Sequence, residues 1–97
     1  MNKTKDICWF KEVVNPKLKE YEVEYRFFEE GDFGSLNQVS IDSEEIAGEI
    51  DFWELGWLGI HLWDCVKNDW LLNVLLEAEQ RIEQEKAIEQ MLRLLKL

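Results

Sequence analysis

The sequence of 97 residues has few of the residues that small proteins use for metal sites, cross-links and membrane spans. Its two cysteines, Cys8 and Cys65, lie far apart with no Cys-x-x-Cys or Cys/His spacing, so no zinc site is readable. Two reduced thiols are the expectation, and a single Cys8–Cys65 disulfide is the alternative. No segment approaches the roughly 20 apolar residues that span a bilayer, and the N-terminus has no signal-peptide core. We therefore expect a cytoplasmic protein without a metal or other cofactor.

Basic residues are also scarce. The chain has 11 Lys and Arg residues against 21 Asp and Glu residues, a formal net charge of −10. Residues 1–19 hold five Lys and two acids, so the rest of the chain carries six basic and nineteen acidic side chains. Such a field repels nucleic acid and anionic membranes and speeds encounter with a basic partner. The alternative interpretation is that the acidity serves only solubility.

Apolar residues are present in sufficient number for one core. Hydrophobic residues make up 46% and aromatic residues 12% of the chain, whereas a disordered acidic segment would be poor in Trp and Phe. At this length folding buries about 60 to 65% of the surface that the unfolded chain exposes. The sequence therefore predicts a single domain over residues 1–97, without an internal repeat or a linker.

The segment 49–64 contains three of the five tryptophans and alternates large apolar residues with polar ones. If residues 54–56 form a three-residue loop with Gly56 in the left-handed conformation, the segment is a β-hairpin in which Trp53 pairs with Trp57 and Glu49 with His61. One face then holds a plausible core: Ile50, Phe52, Leu58, Ile60 and Leu62. The other face is too aromatic for ordinary solvent exposure and too acidic for a core: Glu49, Asp51, Trp53, Trp57, His61 and Trp63. Either other elements of the chain or a partner should cover it.

Alternation predicts strands over most of the first two-thirds of the chain. The predicted strands cover residues 21–29, 36–42, 46–53 and 57–64, with a weaker one at 7–14 that could equally be a short helix. Because the connections are too short for parallel crossovers, these strands should form an antiparallel meander.

After residue 67 the period changes. Asn68 is a good helix N-cap, and a helical stripe follows it: Trp70, Leu71, Val74 and Leu75. A second helix over about 79–96 has its own apolar face: Ile88, Met91, Leu92 and Leu95. The predicted fold is therefore α+β, an antiparallel β-meander of four to five strands over about residues 7–64 followed by two C-terminal helices, over about 68–96, packed on one face.

Residues 61–65 place a base, an acid and a thiol close together in the chain: His61, Asp64 and Cys65. On a straight strand His61 and Cys65 lie about 13 Å apart, beyond the hydrogen-bond reach that a nucleophile and its base need. His61 is more simply the cross-strand partner of Glu49. The carboxylates and glycines show no metal-loop, glycosidase or phosphate-binding spacing. The sequence therefore predicts that the protein is not an enzyme.

The tryptophans have two interpretations. Trp is most often a core residue in small proteins, and Trp9 and Trp70 are the candidates for that role. Trp also dominates interface hot spots, where a few desolvated anchors supply most of the affinity. Trp53, Trp57 and Trp63 are the better interface candidates.

Three segments, Gly31–Val39, Glu49–Trp53 and Gly56–Asp64, resemble those of the small acidic bacterial immunity proteins encoded beside polymorphic toxins, including toxins of contact-dependent growth inhibition. The resemblance implies a cytoplasmic inhibitor that binds one cognate toxin domain, commonly a basic nuclease, and blocks its active site or substrate groove. It carries over no catalytic residues. The candidate partner-binding residues are Glu49, Asp51, Trp53, Glu54, Trp57, His61 and Asp64, with the Glu44–Glu45 loop as a secondary candidate.

Two other functions stay open at this point. A homodimeric structural or regulatory adaptor would use the same tryptophan face for self-association, so whether the protein is a monomer or a homodimer is undecided. A small hydrolase would require a concave pocket and an intact His61.

Overall fold

The computed structural model describes residues 5–97. In chain order the elements are α1 (Ile7–Trp9), a π-helical turn (Phe10–Val14), a 3-10 turn (Asn15–Lys17), β1 (Glu22–Gly31), β2 (Gly34–Asp42), β3 (Ile46–Trp53), β4 (Leu58–Asp64), β5 (Asp69–Leu76) and α2 (Arg81–Leu94). The five strands form one antiparallel sheet in the order β1-β2-β3-β4-β5. The α+β class and the antiparallel meander are thus confirmed. Within these residues no helix is long and apolar enough to cross a membrane.

The predicted hairpin is confirmed in register as well as in position. The Trp53 N–H donates to the Trp57 carbonyl oxygen over 3.1 Å, and Glu49 pairs with His61 as the three-residue loop requires. Gly56 takes a φ of +93°, a conformation that costs an L side chain strain but suits glycine. The loop type therefore fixes which side chains of β3 and β4 share a face.

The prediction of a strand at residues 7–14 is wrong, and the short helix that was its alternative is observed. The Asp6 carboxylate caps the segment by accepting a hydrogen bond from the Trp9 N–H over 3.0 Å. The helical turns then bury Trp9, Phe10 and Val14. The Phe10 ring contacts the Phe52 ring edge-on at 6.1 Å between centroids, which docks this N-terminal helical segment (Ile7–Lys17) on the sheet.

The first predicted C-terminal helix, beginning at Asn68, is also wrong, because these residues form strand β5. Asn68 does not cap a helix but adopts a φ of +56° in the tight turn after β4, and its N–H donates to the Asp64 carbonyl oxygen over 2.8 Å. β4 is buried in the middle of the fold, and without β5 its outward backbone groups would have no partners. Pairing of β4 therefore overrides the helical preference of a leucine-rich segment.

The second predicted C-terminal helix is confirmed as α2, within the predicted range. Three of its four predicted apolar residues are buried: Ile88, Met91 and Leu95. They join the buried residues of the sheet and of the N-terminal helical segment in one cluster. One sheet face, which we call the core face, is therefore covered by a helical segment from each end of the chain, instead of by two C-terminal helices. The core-face residues of the strands include Val39, Ile41, Ile50, Phe52, Leu58, Ile60, Leu62 and Leu72.

Candidate functional site

The opposite side of the sheet, which we call the open face, carries most of the predicted acidic and aromatic residues. Strand register places its members side by side, and the two helical segments bury their side chains in the core cluster on the other side. The open face comprises Glu22, Glu24, Arg26, Phe28, Leu36, Gln38, Ser40, Asp42, Ala47, Glu49, Asp51, Trp53, Gly59, His61, Trp63, Trp70, Asn73 and Leu75. Either other elements of the chain or a partner could cover this face. The helical segments within residues 5–97 do not cover it.

Asp51 forms the polar centre of the open face. It is 6% exposed, although an unpaired buried carboxylate would be strongly unfavourable. Gln38 Nε2 donates to Asp51 Oδ1 over 2.9 Å, and His61 Nε2 lies 3.7 Å from Asp51 Oδ2. Within residues 5–97 no buried side-chain nitrogen or oxygen lacks a hydrogen-bond partner. Asp51 is thus a buried carboxylate whose hydrogen bonds are made within the protein. Its role is to hold neighbouring side chains of the open face in place, and it has little contact with solvent.

Gly59 provides the space for this polar centre. It pairs with Asp51 across the β3–β4 ladder. A Cβ atom at Gly59 would lie 3.1 Å from His61 Nε2, 3.2 Å from Asp51 Oδ2 and 3.3 Å from Trp53 Cζ3. The absence of a side chain at Gly59 therefore lets three neighbouring side chains of the open face converge over the strand.

His61 is held by contacts on both ring nitrogens. Its Nδ1 lies 2.6 Å from Asn73 Oδ1 on β5, and because an amide oxygen only accepts, Nδ1 carries the proton of that hydrogen bond. The predicted pairing with Glu49 is confirmed in backbone register, whereas Asn73 and Asp51 contact the ring nitrogens. Cys65 lies in the turn beyond β4, with its N–H bonded to the Glu45 carbonyl oxygen. That the protein is not an enzyme stays a prediction.

The aromatic side chains of the site form two groups at opposite ends of the β3–β4 hairpin. At the loop end, the Phe33 ring stacks on Trp57 at 3.7 Å between centroids and meets Trp53 edge-on at 5.2 Å. At the other end, the Trp63 and Trp70 rings meet edge-on at 5.0 Å. Trp53, Trp57 and Trp63 are partly buried, and Trp70 is 50% exposed. The prediction that Trp9 is a core residue is confirmed, and the same prediction for Trp70 is wrong because β5 presents it on the open face.

Glu54 lies at the loop end of the open face, where it joins two loops. Its N–H donates to the Ser35 carbonyl oxygen over 2.8 Å, and its Oε1 accepts from the Ser35 N–H over 3.2 Å. The neighbouring Leu55 N–H donates to the Phe33 carbonyl oxygen over 3.2 Å. These bonds tie the β1–β2 loop to the β3–β4 loop and so position Phe33 against Trp57. Glu54 itself is exposed.

Asp64 lies on the opposite side of the sheet from Asp51 and His61. Strand alternation gives it the orientation of Leu62, toward the core-face side. Its Oδ1 accepts hydrogen bonds from the N–H groups of Val66 and Lys67 over 2.9 and 3.0 Å. Asp64 therefore shapes the β4–β5 turn. The Glu44–Glu45 loop lies at the end of β3 opposite the Glu54 loop, and both its glutamates are exposed.

The charge of the open face is predominantly negative. Glu22, Glu24, Asp42 and Glu49 are exposed, and the register places all four on the side of the buried Asp51 that faces the β2–β3 turn. Arg26 offsets part of this charge, and its Nε lies 3.1 Å from Glu24 Oε1. No group of three or more His, Cys, Asp or Glu side chains in the described part of the chain could hold a metal ion. Cys8 and Cys65 are both free thiols, as expected.

Sequence reasoning missed the residues that complete the site from outside the hairpin. Gln38 and Asn73 hold the polar centre, and Phe33 and Trp70 complete the two aromatic groups. Gln38 could have been found by extending the predicted register to β2. Asn73 and Trp70 could not be found while residues 69–76 were assigned to a helix.

Comparisons of the chain with protein-family models, with curated proteins and with solved structures found no match. Its function is therefore inferred from the geometry of the open face.

Proposed function

We propose that this protein is an immunity protein that binds and neutralises a cognate, basic toxin domain, a nuclease by preference, and that the open face is the binding surface. One observation carries the proposal. The open face presents partly exposed tryptophans and a group of carboxylates beside a fully satisfied polar centre, and the helical segments of residues 5–97 pack on the other side.

The tryptophans supply the apolar part of such an interface. Burying the exposed half of one Trp side chain, about 100 Å², contributes roughly 2.5 kcal/mol. Trp70 is 50% exposed and already packed edge-on against Trp63, so little rotational freedom is lost when a partner covers it. The open face thus has preorganised aromatic anchors of the kind found at hot spots.

The carboxylates supply the electrostatic contribution to such an interface. Their negative field favours a partner with Lys and Arg on its contact surface and speeds the encounter, because opposite charges steer diffusion. A nuclease binds the phosphates of its substrate with basic residues. An acidic face can therefore occupy such a groove in place of the nucleic acid. In this proposal the protein acts in the cytoplasm, without a cofactor and without catalysis.

The test begins with affinity capture of the tagged protein from its source cells and assay of any captured basic domain for nucleic-acid cleavage. Adding the purified protein should abolish that cleavage at a stoichiometric ratio. The Trp70→Ala variant should weaken inhibition by about tenfold or more, as expected for a hot-spot residue. Ile82→Ala is the matched control, because Ile82 on α2 is also an exposed apolar residue, 69% accessible, and lies away from the open face. Equal inhibition by both variants would contradict the proposed surface, and failure to inhibit would contradict the function.

The homodimeric adaptor is the alternative function. Stacking two open faces would bring Glu49 and the other acids of one copy against those of its partner. Like charges opposed across an interface are unfavourable, so we favour the basic partner. Sedimentation equilibrium over a hundredfold concentration range distinguishes the two, since a monomer mass throughout would exclude the homodimer.

A further inference from the structure

We propose that the outer edge of β1 binds an extended peptide segment as a sixth strand of the sheet, and that this segment alternates basic and apolar side chains. The inference rests on the proposed function for the identity of the partner, since the segment would belong to the toxin domain. The place and the chemistry of the contact follow from β1 itself.

β1 is an edge strand of ten residues, and β2 is its neighbour on one side only. Within residues 5–97 no strand pairs with its other side. Proteins usually protect such an edge with Lys, Pro or a bulge, because free backbone groups recruit further strands. β1 has neither Lys nor Pro, and its irregularity is confined to the loop end beyond Phe28.

The direction of the backbone groups of β1 follows from the hairpin. The Trp53 N–H bonds the Trp57 carbonyl, so odd-numbered residues of β3 point their backbone groups toward β4 and even-numbered ones toward β2. The Ser43 N–H donating to the Ile46 carbonyl oxygen agrees with this alternation. The same alternation extends through the regular β2–β3 and β1–β2 registers. It follows that the N–H and C=O groups of Val23, Tyr25 and Phe27 point away from β2. Within residues 5–97, the backbone donors and acceptors of these three residues therefore form a row without partners.

The side chains beside that row are unusually apolar for an edge. Tyr25 is 36%, Phe27 61% and Phe28 44% exposed. Tyr25 and Phe27 lie on the core-face side of β1. The N-terminal helical segment reaches Tyr25, because the Phe10 ring meets it edge-on at 6.5 Å between centroids and Lys11 Nζ lies 5.0 Å from its ring centroid. Phe27 is the more exposed of the two, and Phe28 lies on the open face. A strand added here would place its apolar side chains beside Tyr25 and Phe27, as cross-strand neighbours.

The other side of the same strand is acidic. Glu22 and Glu24 of β1 and Asp42 of β2 line a shallow hollow of about 380 Å³ on the open face. Arg26 offsets one of these charges through its contact with Glu24. Basic side chains at alternate positions of the added strand would reach this hollow. A second copy of the chain fits poorly, because its own β1 has four Glu and one Arg among ten residues.

The probe is a fluorescent eight-residue peptide in which Lys and Val alternate, compared with a peptide of the same composition that has its four Lys before its four Val. Anisotropy should show the alternating peptide binding about tenfold more tightly. On binding, hydrogen exchange should slow at the amides of Val23, Tyr25 and Phe27. Equal affinity for both peptides, or slowed exchange elsewhere, would overturn the proposal.

Proline substitution tests the backbone contact. Phe27→Pro removes an outward N–H that makes no bond within the sheet, so the fold should persist while peptide affinity falls by about tenfold. Phe27→Ala is the matched control, because it removes the ring and keeps the N–H, and it should lose less affinity than Phe27→Pro. Equal losses would assign the effect to the ring and contradict strand addition. Circular dichroism of each variant establishes that it is folded.

The two proposals fail in different ways. If the alternating peptide does not bind while the captured toxin domain is still inhibited by the protein, the edge proposal fails and the proposed function stands. If the peptide binds to β1 but no captured domain is inhibited, the edge is a peptide site and the toxin-inhibitor function fails.

Discussion

The two faces of the sheet differ in what their side chains contribute. On the core face, Ile50, Ile60 and Leu62 are 0% exposed and pack against the two helical segments. On the open face, His61 and Trp70 are partly exposed and are held by contacts within the face itself. The comparison shows that one face supplies the fold's apolar core, while the other, within residues 5–97, is not covered by the helical segments. Substitutions should therefore affect stability on the core face and binding on the open face.

The largest effect on stability is expected in the core. Ile60→Ala deletes a fully buried side chain in the middle of the sheet and should lower the free energy of unfolding by about 3 to 4 kcal/mol. Trp70→Ala, the open-face counterpart, should cost about 1 kcal/mol, because its ring is half exposed. Urea unfolding of both variants measures the difference. Equal losses would mean that the open face is as important to stability as the core.

Two glycines of the central hairpin provide the next comparison. A Cβ at Gly48 would lie 2.2 Å from the His61 carbonyl oxygen, so Gly48→Ala requires backbone movement and should cost about 3 kcal/mol. A Cβ at Gly59 would lie 3.1 Å or more from its nearest neighbours, which are side-chain atoms that can shift. Gly59→Ala should therefore lower the free energy of unfolding by only about 1 kcal/mol.

The more informative readout for Gly59→Ala is binding. Displacement of Asp51, His61 and Trp53 should weaken the proposed interaction with a toxin domain more than the loss of stability suggests. An affinity equal to that of the unsubstituted protein, measured by calorimetry, would show that the polar centre does not position the binding surface.

A smaller effect is expected at the polar centre itself. Asp51→Leu removes the acceptor of the Gln38 amide and should lower the free energy of unfolding by about 1 to 2 kcal/mol. Glu49→Gln, two residues earlier on the same face, changes an exposed carboxylate and should stay within about 0.5 kcal/mol. Thermal unfolding of the pair shows whether Asp51 is structural. Identical midpoints would contradict its role as a satisfied internal group.

The smallest effect concerns the two tyrosines at the N-terminal part of the sheet. Burial raises the pKa of Tyr25, and burial together with Glu45 and Glu20 raises the pKa of Tyr21. Because the neutral phenol is favoured in the folded state, this stabilisation is fully present below pH 10 and is lost as the pH rises through the raised values. Absorbance at 295 nm should show both tyrosines ionising above pH 10 in the folded protein, and near pH 10 in urea. The same midpoint in both conditions would contradict the shift.

The sequence predicts the central hairpin well and its surroundings less well. Residues 46–64 have a loop signal at Gly56 and a strict period of two, and both agree with the observed register. The apolar residues within 69–76 are spaced in a way that fits both a helix and a strand. The choice between them depends on the unpaired edge of β4, which local sequence does not reveal.

The same limit applies to the candidate site. Glu49, Asp51, Trp53, Trp57 and His61 were predicted as neighbours because one hairpin holds them. The burial of Asp51 depends on Gln38 from β2 and on the space over Gly59. Asp64 belongs to the same predicted set, although strand alternation turns its side chain away from Asp51 and His61. Long-range pairing, which is not visible in a local pattern, decides these cases.

The most direct measurement is the dissociation constant of the captured basic domain for Glu49→Lys, at two salt concentrations. Glu49 is exposed on the open face, and Glu89→Lys on α2 is the control that makes the same charge change at an exposed site away from it. We predict that Glu49→Lys weakens binding by about tenfold or more and reduces its salt dependence, while Glu89→Lys stays within about twofold. Equal effects of the two substitutions would contradict the assignment of the open face as the binding surface.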